Sequence, residues 1–98
     1  MKRLVTRNLL AAAVLLSHAG IVQATDIENM LGECRVRAAT IFGTDVDDVD
    51  VKYECQRTDK THAVNGSVFV RGTHETFQCS FEPKGYRIEK FIVNNPAR

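Results

Sequence analysis

Beyond its first two dozen residues, the side chains best suited to nucleophilic, redox or metal chemistry are Cys34, Cys55, Cys79, His62 and His74. Zinc sites built on cysteine and histidine place paired cysteines about two residues apart and paired histidines three to five apart. Neither spacing occurs here. A redox pair of the Cys-x-x-Cys type is missing too, as is the Gly-x-Ser-x-Gly turn that exposes a hydrolase nucleophile. Ser67 and Ser80 fall in strand-like segments with no evident base beside them. The acids Asp45, Asp47, Asp48 and Asp50 invite a calcium reading. An EF-hand loop counted from Asp45 needs glycine at its sixth position and glutamate at its twelfth, and finds Asp50 and Gln56. We therefore expect a solvated turn at these acids, no metal, no cofactor and no catalysis.

The elements that would position these residues begin after an export signal. Lys2, Arg3 and Arg7 supply a basic start, Leu9 to Leu16 an apolar run, and Val22-Gln-Ala24 a cleavage site, so residues 1–24 read as a cleaved signal peptide. The uncharged stretch is too short and too polar for a stable membrane span, which needs roughly 20 apolar residues. With 44% hydrophobic and 26% charged residues, the 98-residue chain has the composition of a globular domain rather than a disordered tail. Its net charge of +1 comes from the leader; residues 25–98 hold ten basic against twelve acidic side chains, a net −2. That balance argues against nucleic acid, which calls for a clustered basic surface.

Within residues 25–98, read as a single domain, Thr25-Asp-Ile-Glu28 has the pattern of a capping box. Ile27, Met30, Leu31, Cys34, Ala38, Ile41 and Phe42 then recur at spacings of three and four, tracing one face of a helix that Gly43 should end. From Val49 the period becomes two, with Val49, Val51, Tyr53 and Cys55 on one face and Asp50, Lys52, Glu54 and Gln56 on the other. Residues 63–71 predict a second strand, with Gly66 as a bulge, and residues 73–82 a third. Pro83-Lys-Gly85 predicts a turn, and residues 86–93 a fourth strand whose apolar parity changes between Ile88 and Phe91, leaving its register open. The expected fold is α+β: one N-terminal amphipathic helix packed on a four-stranded antiparallel meander, in two layers. One sheet face would be covered and the other wet, carrying Asp50, Lys52, Glu54, Thr76, Gln78, Ser80 and Phe69.

The helix stripe and the strand parities aim Cys34, Cys55 and Cys79 into the same helix–sheet layer, and export favours a disulfide. Three cysteines allow three single bridges, and spacing does not choose among them. The order of a helix cysteine, an Asp-containing turn, a Val-rich strand and Phe77-Gln-Cys79-Ser-Phe81 followed by Gly85 resembles a group of small exported proteobacterial domains of uncharacterised function. Cys34, Ala38, Phe42-Gly43, Asp48-Val49-Asp50-Val51, Val68 and Val70 complete the match. The helix-then-meander layout is also similar to PepSY domains, as architecture only. In the first group cysteines usually stand at the positions of Cys34 and Cys79, which implies a bridge between them. Cys55 departs from that pattern. Its parity reads as a buried free thiol; the sharper alternative is an intermolecular disulfide or reactive thiol, making the chain a monomer or a Cys55-linked dimer.

Together these features point to a non-catalytic periplasmic or secreted domain that binds a protein or envelope component. An inhibitor of a secreted enzyme is the most concrete version, and Phe69 is the expected contact residue.

Overall fold

The computed structural model of the chain describes residues 24–94. The expected leader and its cleavage point lie outside the described residues, save for Ala24. Helix α1 (Ala24–Phe42) leads through a single 3-10 turn (Val46–Asp48) into strands β1 (Val49–Gln56), β2 (His62–Val70), β3 (Thr73–Phe81) and β4 (Ile88–Val93). The strands form one antiparallel sheet in the order β1-β2-β3-β4, with α1 against one face. This is the two-layer α+β meander that the periodicity predicts.

The helix is already formed at Ala24, ahead of the cap expected at Thr25. At its other end Gly43 takes φ +71, a backbone conformation that side chains disfavour. The Thr44 N–H then returns to the Ala39 carbonyl at 3.0 Å, the six-to-one bond of a Schellman end. Met30, Cys34, Ala38, Ala39 and Phe42 are buried, whereas Ile41, expected on the same stripe, is 49% exposed. The covered face of α1 turns toward Ala39 in its last turns because the chain crosses there into β1. On that side Arg35 Nε donates to the Val49 carbonyl at 3.2 Å.

Phe77 and Phe81 are fully buried from β3, together with Val64 of β2 and Met30 and Cys34 of α1. Phe77 stacks on Phe91 with ring centroids 5.1 Å apart, and Phe42 from the helix closes on both rings at 5.9 and 6.3 Å. Gly66 is not a bulge. It pairs with Val51 on one side and Phe77 on the other, and the Phe77 ring lies over it where a side chain would stand.

The two bulges lie elsewhere, one in each edge strand. In β1, Tyr53 pairs with Val64 and Cys55 with Ala63, so Glu54 is the extra residue. In β4, Lys90 pairs with Ser80 and Ile88 with Phe81, so Glu89 is extra. The second bulge accounts for the change of parity in the sequence: with Glu89 skipped, Ile88, Phe91 and Val93 all face the helix. A bulge carrying a charged residue also spoils each edge as a template for another strand.

Short polar side chains hold the remaining turns. The β2–β3 hairpin turns on Arg71 (φ 49) and Gly72 (φ 78), the two positive φ values of a type I′ turn. Between β3 and β4, Glu82 accepts the Lys84 N–H at 2.6 Å and the Tyr86 N–H at 3.2 Å through its two carboxylate oxygens. Loss of hydration pushes the Glu82 pKa up, but the amides of Lys84, Tyr86 and Gly85 and the charge of Arg87 outweigh it and leave the group below its ordinary value. In the β1–β2 loop, Asp59 is likewise held low, first by the Thr61 hydroxyl and then by the Thr61 N–H. A carboxylate whose pKa falls on folding stabilises above its unfolded value, and that contribution disappears as pH drops through the folded value. We therefore expect urea midpoints to fall below about pH 4. Glu82→Gln should lower the midpoint at pH 6 and flatten the acid limb. An acid limb identical to that of the parent chain would refute the role given to Glu82.

Candidate functional site

Cys34 and Cys79, both fully buried, form a disulfide that ties the middle of α1 to β3, with Cα atoms 6.0 Å apart. This is the pairing implied by the resemblance. The position follows from the elements: Cys34 faces the sheet from the helix stripe, and Cys79 faces the helix between Phe77 and Phe81.

Cys55 corrects the sequence reading. It is an exposed free cysteine rather than a buried one. The bulge at Glu54 is the reason. Two residues of β1 oppose a single step of β2 there, so strict alternation ends after Tyr53 and Cys55 emerges on the outer face, opposite Ala63.

The outer face holds the other expected contact. Phe69 is 67% exposed, opposite His74 near the β2–β3 hairpin. Asp50, Lys52, Glu54, Thr76, Gln78 and Ser80 share this face. It is less uniformly wet than expected, since Ser80 is only 9% exposed and Ala63 only 3%. Arg57 folds back over this corner from the β1–β2 loop. Its guanidinium donates to Gln78 Oε1 at 2.7 Å, Ser80 Oγ at 3.1 Å and Thr61 Oγ1 at 3.0 Å. Gln78 Nε2 in turn donates to Asn65 Oδ1 at 2.7 Å, and Asn65 Nδ2 to Glu54 Oε1 at 2.8 Å. A continuous polar chain thus crosses β1, β2 and β3. Each of these residues is ordinary in sequence; only strand register brings them together.

His62 and His74 lie at opposite ends of the β2–β3 hairpin. His74 lies on the outer face beside Phe69, while His62 is 2% exposed at the other end of β2. His62 Nε2 is 2.9 Å from the Pro83 carbonyl oxygen, which can only accept, so the proton sits on Nε2. Nδ1 then accepts from the Tyr53 hydroxyl at 3.0 Å. Burial, and secondarily the neighbouring Cys55, push the Tyr53 phenol above its ordinary pKa. This contact links β1, β2 and the start of the β3–β4 loop. It satisfies every polar atom of a buried imidazole, which makes it a structural tie.

Asp45, Asp47, Asp48 and Asp50 are exposed, and Thr44 Oγ1 donates to Asp48 Oδ2 at 3.1 Å across the 3-10 turn. Among the described residues no three His, Cys, Asp or Glu side chains gather as a metal-binding group, and no helix is long and apolar enough to cross a membrane. Comparison of the chain with family models, with curated proteins and with solved structures returned no match.

Two side chains that the sequence reading passed over stand out. Glu75 is buried on the inner face of β3, opposite Val68. Tyr86, assigned in advance to a strand, lies in the β3–β4 loop and is 72% exposed.

Proposed function

We propose that this chain is an exported, non-catalytic binding domain whose outer sheet face meets a protein or envelope component in the periplasm or outside the cell. The observation that carries this reading is the asymmetry of the sheet. One face is closed by α1 and its disulfide, while the other presents Phe69 at 67% exposure near the β2–β3 hairpin and a pre-arranged polar chain toward the opposite end of the sheet. An exposed aromatic sharing one sheet face with ordered hydrogen-bonding groups suits a contact surface, because the amides are already positioned before the partner arrives. Inhibition of a secreted enzyme is the most concrete form of this role, by analogy at the level of fold. The internal disulfide supports an oxidising compartment, and the expected leader supports export.

Immobilised chain exposed to envelope extract should retain a partner that is lost on Phe69→Ala and kept on Cys55→Ser. A partner indifferent to Phe69→Ala would remove the outer face from the reading.

The exposure of Cys55 favours a second role, in which its thiol forms a mixed disulfide with a partner or a second copy. In that role the bond consumes the Cys55 thiol and a partner thiol, and the compartment's thiol oxidant takes up two electrons and two protons. Intact mass of natively isolated protein, with thiols trapped at once, separates the two roles. A monomer with one trapped thiol supports the contact surface. An adduct that collapses on reduction and is missing in Cys55→Ser supports the thiol.

A further inference from the structure

On the helix side of the molecule, away from Phe69, a groove of about 490 Å³ runs between α1 and the β3–β4 loop. Its helix wall carries Glu28, Gly32, Glu33 and Val36, and its loop wall carries Gly85 and Tyr86. Val36 is 55% exposed and Tyr86 72%, and the space where a Gly32 side chain would stand is open, with nothing within 4 Å. Backbone from another molecule can therefore approach the helix closely between the two apolar side chains.

The loop that presents Tyr86 is held at three points. His62 fixes the Pro83 carbonyl, both oxygens of Glu82 fix the Lys84 and Tyr86 amides, and Gly85 (φ +78) rests on Met30. A side chain at Gly85 would lie 3.2 Å from the Met30 sulfur, so the loop packs closely on the core at this point. Presentation of a large aromatic on a loop already fixed costs little ordering entropy when a partner binds.

Charge selects the partner. The groove is lined by two glutamates and an aromatic ring, and none of its lining residues is basic. Lys84 and Arg87 belong to the same loop but lie outside the lining, and Arg87 acts on Glu82. Carboxylates lining the same groove as a tyrosine suit a guanidinium or ammonium group, which gains from both the charge and the ring.

We infer that this groove is a second contact surface, which seats a protein segment bearing an arginine or lysine between Tyr86 and the Glu28/Glu33 carboxylates. This rests on the reading of the chain as a binding domain, but on a different face from Phe69.

A capped arginine dipeptide, titrated into the ¹⁵N-labelled chain at low salt, tests it. The amide shifts should concentrate at Gly32, Val36, Gly85 and Tyr86. A capped glutamate dipeptide should give none, and about 0.5 M salt should weaken the response several-fold. Tyr86→Ala and Glu33→Lys should each reduce binding roughly tenfold or abolish it, with the remaining spectrum unchanged. Phe69→Ala should leave the response intact. Shifts scattered over the surface, shifts equal for the two dipeptides, or a response that survives both groove variants would overturn the inference. None of these results touches the Phe69 surface, whose failure would show separately as a captured partner indifferent to Phe69→Ala.

Discussion

Replacement of Cys34 and Cys79 together by alanine should cost about 4 kcal/mol, among the largest losses expected from any change to this chain. The bridge joins residues 45 apart in sequence, and a closed loop of that size removes about this much free energy from the unfolded chain on the chain-entropy model. The setting makes the loss severe. A domain this small typically has only several kcal/mol of net stability, because too little apolar surface is buried to do better. Among the described residues the bridge is also the one covalent tie between the two layers besides the main chain that leads from α1 into β1. Urea unfolding of Cys55→Ser, with and without reductant, gives the cleanest measurement, since no third thiol remains to reshuffle. The reduced protein should be largely unfolded at 37 °C. A loss below about 1 kcal/mol would mean that the loop entropy is already restricted in the unfolded chain.

The second large effect concerns Gly66 and Phe77. Phe77→Ala should cost about 3–5 kcal/mol, since a fully buried ring packed on Phe42 and Phe91 leaves a cavity that two layers tied by a disulfide cannot close. Gly66→Ala should cost about 1–3 kcal/mol by the opposite route. A methyl there would overlap the Phe77 ring and sit 2.8 Å from the Asp50 carbonyl oxygen, and the second of these neighbours is backbone that cannot swing away. The two changes should couple. In Phe77→Leu the shorter side chain leaves part of the methyl's space free, so Gly66→Ala should cost less there than in the parent chain. Thermal or urea denaturation of the four proteins of this cycle measures the coupling. Strict additivity would show that the strain at Gly66 comes from β1 alone.

The same glycine shows what a sequence withholds. Gly66 inside a run of strand-forming residues signals either a bulge or a close approach, and the one-dimensional pattern is identical for both. The bulges fall instead at Glu54, which carries no mark of its own, and at Glu89, whose trace is the parity change between Ile88 and Phe91. One of them decides the candidate chemistry. Alternation from Val49 places Cys55 with Val51 and Tyr53, and one extra residue turns it outward, converting a packing thiol into an accessible one. Phe69 precedes no such irregularity in β2, and its outward position is legible from its parity. The polar chain from Arg57 to Glu54 was hidden, because it depends on which residues of three strands stand side by side. Tyr86 was hidden for another reason: the turn after Pro83 runs further than its Gly85 signal, as Glu82 captures the Tyr86 amide.

The sequence by itself determined the order and kind of the elements, the inner faces of β2 and β3, and the glycine that ends α1. These follow from contacts between near neighbours, where periods of 3.6 and 2 and the φ of single residues leave a direct trace. Tertiary structure alone decided the register of the edge strands, the burial of Ala39 in place of Ile41, the exposure of Cys55 and the groove beside Tyr86. Each depends on how one element is offset against another, an offset set by packing between residues distant along the chain.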